Sequence, residues 1–153
     1  MGSQRFEITS YADKYREQVL DVWEQSVLAT HQFLKPGDFQ SIKQIVRSID
    51  FTAFEMYCLM ADQTVIGFLG VADKKIEMLF LSPQYLGKGF GKRFMNFAML
   101  ELGANKVDVN EQNITAVEFY QRFGFKTYER TEKDDQGKDY PVLRMRLSTP
   151  SSE

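Results

Sequence analysis

The chain has a single cysteine, Cys58, and a single histidine, His31. One cysteine excludes an internal disulfide, and one of each excludes a Cys/His zinc cluster, so no metal is expected. Cys58 falls in an apolar strand pattern and reads as a buried, inert thiol. Charge of one sign is also not in excess: 19 Lys and Arg against 21 Asp and Glu leave a net charge of −2. With no general basic field, nucleic acid is not an expected partner. No apolar run approaches the roughly 18 residues that span a bilayer, and no leader pattern stands out. A cytoplasmic protein that leaves membranes alone is therefore expected. Proline is scarce, and no linker or internal repeat divides the sequence. Residues 1–153 read as one domain whose tail frays from about residue 147 onward.

What is present is core-forming material. Hydrophobic residues make up 43% of the chain and aromatics 14%, which excludes a disordered chain. Phe6 to Thr9 reads as a short strand. Asp13 to Ala29 carries an apolar stripe at helical spacing through Tyr15, Val19, Val22, Trp23 and Val27. Pro36-Gly37 reads as a breaker, and a second helix runs from Phe39 to Ile49. Met56 to Ala61 and Thr64 to Val71 flank a turn at Asp62-Gln63, and Lys74-Lys75 turn the chain into a strand from Ile76 to Leu81. A helix from Phe90 to Leu102, a strand from Lys106 to Val109 and a helix from Asn113 to Phe123 come next. Phe125 to Thr131 and Val142 to Leu147 form a closing hairpin. This order gives an α/β (α+β) sandwich, one mixed and mostly antiparallel sheet with helices on both faces.

Between the strand ending at Leu81 and the helix beginning at Phe90 lies Leu86-Gly87-Lys88-Gly89-Phe90-Gly91. A strand that enters a glycine turn and leaves as a helix aims free backbone N–H groups and the positive end of the helix dipole at one point. That geometry suits a phosphate anion. The spacing is not that of a P-loop, because Leu86 would stand where the first glycine belongs and Arg93 where the hydroxyl belongs. It is not that of a dinucleotide fingerprint either, whose third glycine would be Lys92.

The element order, with Leu79-Phe80-Leu81-Ser82-Pro83 running into Gly87-Lys88-Gly89-Phe90-Gly91, resembles the GNAT N-acetyltransferase family. So do Asn113-x-x-Ala116 with Phe119-Tyr120, and Gly124-Phe125 just beyond. Ser26-Val27, Ala29-Thr30-His31-x-Phe33-Leu34, Val109 to Asn113, and Asp134-Asp135-x-Gly137-Lys138-x-Tyr140-Pro141 are similar to one bacterial subgroup, the YjaB-like acetyltransferases. The resemblance implies a sheet splayed between its fourth and fifth strands. It implies acetyl-CoA as cofactor and a primary amine of a small molecule, peptide or protein as acceptor, attacking directly in a ternary complex. A monomer or homodimer is expected.

Residue roles come with that resemblance. Backbone groups at Leu79 and Leu81 would pair with pantetheine. The turn from Leu86 through Gly87, Lys88, Gly89, Phe90 and Gly91 to Lys92, aided by Arg93, would hold the pyrophosphate. Leu86 departs from the family's usual Gln or Arg, which implies weaker CoA binding. Asn113 would cap its helix and touch the pantetheine arm. Tyr120 would be the general acid, since a phenol keeps its proton at neutral pH; as a residue it also fits a core aromatic stripe. Candidates for the base are Glu77, expected on a different strand face from Ile76 and Met78, and His31, whose ordinary range suits the task; Asp108 and Asn110 could hold a water or orient the amine, and a water chain to bulk solvent could also do the job. Asn110, His31, Phe33 and Leu34 would meet the acceptor. Two other readings fit the same residues: a CoA-binding module without catalysis, and an acyltransferase for longer acyl chains.

Overall fold

The computed structural model describes residues 4–148. Seven strands form one sheet in the order β1-β2-β3-β4-β5-β7-β6. They are β1 (Phe6–Ser10), β2 (Glu55–Ala61), β3 (Thr64–Ala72), β4 (Lys75–Leu81), β5 (Lys106–Asn110), β6 (Phe125–Thr131) and β7 (Val142–Leu147). Every neighbouring pair is antiparallel except β4 and β5, which run parallel. Four helices cover the faces: α1 (Arg16–Thr30), α2 (Pro36–Arg47), α3 (Phe90–Glu101) and α4 (Ile114–Arg122).

The sheet is buried on both sides, which explains why β3 carries an almost unbroken apolar run. On one face Val19, Val22, Trp23 and Val27 of α1 pack with Phe51, Cys58 and Phe68. Trp23 stacks on Phe39 of α2 with ring centres 5.7 Å apart. On the other face Phe94, Met95 and Ala98 of α3 pack with Leu69, Val107, Tyr120 and Met145. Cys58 is fully buried, as expected, and burial pushes its thiol up to about 12.

Three local readings are corrected. Pro36 does not break the chain: it is the first residue of α2, where its missing N–H and fixed φ suit a helix start. The turn before β4 is Asp73-Lys74, both at positive φ, and Lys75 already belongs to the strand. Leu147 is not part of a frayed end, because it pairs with Phe125 and donates its N–H to the Asn105 carbonyl at 2.9 Å. The tail reading for 149–153 lies outside the described residues.

Two features position the site. β4 and β5 pair only at Lys75 with Lys106 and Ile76 with Val107, and beyond Ile76 they part. The register of β3 against β4 also shifts there: Gly70 faces Met78 while Val71 faces Ile76. Glu77 is therefore the extra residue of a β-bulge. A bulge reverses the facing of everything after it. Ile76 packs into the α3/α4 core and Met78 against the α1/α2 core, so the simple alternation expected around Glu77 does not hold.

Candidate active site

Where β4 and β5 part, a cavity of about 900 Å³ opens between them. Its walls are Glu77, Leu79 and Leu81 of β4, the glycine turn, Asp108 and Asn110 of β5, Asn113 and Tyr120 at α4, and His31 at the end of α1. Residues predicted from segments far apart in sequence thus line one space.

At one end is the start of α3. Gly87 and Gly89 have φ of 76° and 88°, left-handed values that glycine adopts without a Cβ clash. Gly89 is the N-cap and offers no side chain, so no side chain caps α3. The first backbone donor taken up inside the helix is the Arg93 N–H, to the Gly89 carbonyl at 3.1 Å. The donors before it are the orphans that every helix start leaves for a ligand. Gly91 lies where α3 meets α4: a Cβ there would come within 3.1 Å of the Phe119 ring. Leu86 and Lys92 line the cavity, and Leu86 is 47% exposed. Three neighbours are engaged elsewhere. Phe90 packs its ring on Phe6, Lys88 lies over the Tyr85 ring, and the Arg93 guanidinium donates to the Phe6 carbonyl. None of the three lines the cavity.

Asn113 caps α4, its side-chain oxygen accepting from the Ala116 N–H at 3.2 Å. That cap fixes the helix that carries Tyr120. Tyr120 belongs to a core aromatic stripe and also reaches the cavity. Its ring is buried against Phe119 and Phe125, and it also lines the cavity. Burial raises its phenol well above the ordinary tyrosine value, so it keeps its proton at any physiological pH.

Of the candidate bases, Glu77 alone combines access with a raised carboxyl. Burial lifts it, the Lys75 ammonium opposes that rise, and Asp108, Asp135 and Asp73 reinforce it. Asp108 is engaged: one oxygen, Oδ2, holds both the Lys75 ammonium and the Arg144 guanidinium at 2.6 Å. Burial lowers the His31 imidazole to about 4, so it is neutral at pH 7 and suited to a hydrogen bond. Its Nδ1 lies 2.8 Å from the Thr30 hydroxyl.

The acceptor-side residues divide. His31 and Asn110 line both the main cavity and a neighbouring one of about 150 Å³, which Leu34, Trp23, Asp134 and Tyr140 share. Phe33 lines neither; it stacks on His31 at 5.3 Å and meets Tyr140 edge-on at 5.9 Å. Residue-by-residue reasoning missed the tie beneath them: the Tyr140 hydroxyl donates to Asp38, and Lys138 pairs with the same carboxylate. Lys75 and Arg144 were missed too, because their partners sit on other strands.

A splayed parallel strand pair, a bulge at its mouth and an uncapped glycine-started helix are the features that the resemblance to the GNAT family implies. A family profile described as "Acetyltransferase (GNAT) domain" matches residues 12–148. The chain is 33% identical over 130 residues to the peptidyl-lysine N-acetyltransferase YjaB of Salmonella typhimurium, covering 84% of this chain and 89% of that protein. The solution structure of apo YjaB from Escherichia coli superposes with a TM-score of 0.86 at 29% identity, covering 95% of this chain and 99% of that one. The PaiA N-acetyltransferase of Thermoplasma acidophilum, determined in complex with coenzyme A, shares the fold at a TM-score of 0.71 and 21% identity, over 94% of this chain and 99% of that one. The chain belongs to the GNAT acetyltransferases. It is an acetyl-CoA-dependent N-acetyltransferase.

Proposed function

We propose that the acceptor is the side-chain amine of a lysine in a peptide or protein, acetylated by direct attack in a ternary complex. The observation that carries the reading is the parting of β4 and β5 after Ile76 over one cavity that Glu77, Tyr120 and the uncapped start of α3 all line. The YjaB relatives, named peptidyl-lysine N-acetyltransferases, support the acceptor class.

The residues fit the cofactor. Free N–H groups at Gly89, Phe90 and Gly91, with Lys92, would hold the pyrophosphate, and backbone at Leu79 and Leu81 would pair with pantetheine. Bound acetyl-CoA supplies a thioester-activated acetyl group. The Leu79 N–H stabilises charge gathering on the carbonyl oxygen. Glu77 takes the proton that the amine nitrogen must lose, directly or through one water. The new N–C bond forms as the C–S bond breaks, and the Tyr120 hydroxyl gives its proton to the departing sulfur. Asp108 has no place as the base, and neutral His31 with Asn110 orients the amine. The reading places the enzyme in the cytoplasm of a bacterium, where acetyl-CoA is made, with a catalytic unit built from one chain whether it acts as monomer or homodimer.

The test is incubation of the purified protein with acetyl-CoA and a panel of lysine peptides, polyamines and free amino acids. Acetylation would be located by mass spectrometry and CoA release measured. Transfer to lysine side chains in peptides is expected; transfer to polyamines alone would overturn the acceptor class.

A further inference from the structure

Six charged side chains from four strands and a loop meet beside the cavity. Lys75 of β4 sits between two carboxylates, 2.6 Å from Asp108 and 3.9 Å from Glu77. Asp108 of β5 is in turn held at 2.6 Å by Arg144 of β7. Arg144 reaches on to Asp135 in the β6–β7 loop at 3.4 Å and to Glu129 of β6 at 3.7 Å. Lys75 and Glu77 are two apart on one strand, and the bulge at Glu77 turns the carboxylate toward the cavity mouth.

The consequence is a competition for one ammonium. A lysine in full contact with Glu77 would hold it as a carboxylate and occupy the oxygens that must take a proton. The geometry shows the ammonium drawn to Asp108 instead. We propose that Asp108 is a positioning residue: it holds Lys75, braced by Arg144, so that Glu77 stays free to accept the amine proton. The inference rests on the reading of Glu77 as the base.

The other charges facing Glu77 are accounted for. Asp73 in the preceding turn and Asp135 across the mouth are both negative and, with Asp108, disfavour a second carboxylate. Arg122 of α4, Lys92 of α3 and neutral His31 of α1 line the same cavity. Among the described residues Lys75 is the only cation in ion-pair range of Glu77.

The decisive measurement is a ¹³C carboxyl NMR titration, with the Glu77 resonance identified by its loss in Glu77→Gln. In Asp108→Asn the released ammonium moves onto Glu77, and the Glu77 midpoint falls by about one pH unit. In Lys75→Met the midpoint rises by less than about half a unit, because Lys75 is already held away. In the double variant the fall caused by Asp108→Asn shrinks to under half. Asp108→Glu restores the wild-type midpoint. An equal fall with and without Lys75 would overturn the inference, because Asp108 would then act on Glu77 through its own charge alone. A large rise in Lys75→Met, a variant that keeps the Asp108–Arg144 pair, would overturn it independently. Turnover of Asp108→Asn should drop about tenfold and recover in part in the double variant. Unchanged turnover in Glu77→Gln would instead end the base reading and leave the titration result standing.

Discussion

The Tyr140 hydroxyl donates to Asp38 across 102 residues of sequence at 2.5 Å, and accepts from the Lys35 N–H at 3.0 Å. One phenol thereby pins the start of α2 to the loop before β7. Lys138 pairs with the same carboxylate at 3.0 Å, and the phenol and the ammonium together hold Asp38 below the usual carboxylate range. Around this tie, Leu34, Ile42, Asp134 and Tyr140 line the smaller cavity.

Tyr140→Phe should separate the two halves of the reaction. It leaves Asp38 and the Lys35 N–H short of a partner, at a cost of about 1–2 kcal/mol in stability. Denaturant unfolding would measure that loss. In steady-state kinetics KM for the acceptor should rise while KM for acetyl-CoA stays as it was.

Tyr120→Phe keeps the buried ring and removes only the proton donor. Turnover should fall by at least about tenfold, with the melting temperature little changed. Turnover equal to wild type would return Tyr120 to a packing role.

Leu86→Arg adds a cation to an exposed position on the cavity rim, beside the free N–H groups of α3. Calorimetric titration should show tighter acetyl-CoA binding, by about threefold to tenfold, as a new charged hydrogen bond to phosphate would give.

Gly89→Val forces a β-branched residue to a φ of 88°, at a cost of order 1–3 kcal/mol. Acetyl-CoA affinity should fall with it, since the backbone donors lose their aim. Acceptor KM should be unaffected.

His31 gives the fold an acid dependence. Its imidazole titrates near 4 in the folded chain against 6.5 when free, so its stabilising neutral form is fully present above pH 6.5. That contribution is lost as pH falls from 6.5 toward 4, and amounts to about 3 kcal/mol at most. Unfolding free energies measured between pH 7 and 4 should fall less steeply in His31→Gln than in the wild type.

Much of the fold was legible because its signals are local. The helical stripe through Val19, Trp23 and Val27, the cap at Asn113 and the positive-φ glycine at Gly124 report the chain's own neighbourhood, and the structure agrees with them. The exceptions are instructive. Pro36-Gly37 reads as a break because proline cannot sit within a helix, yet it serves equally well as a start, and the helix-forming run from Asp38 onward decides between the two. The site was legible in part for the same reason: glycines that set a backbone shape carry their meaning in sequence.

Short-range chemistry along the chain thus specifies a two-faced sheet, a phosphate-ready turn opening α3 and a tyrosine on the helix that Asn113 caps. Those depend on interactions over a few residues. Packing in three dimensions is what inserts β7 between β5 and β6, makes Glu77 a bulge, and brings Lys75 and Arg144 to Asp108. It also buries His31, which lowers its imidazole. Register, ion pairing and desolvation depend on what lies across space, and no local pattern along the chain encodes which distant side chain will arrive there.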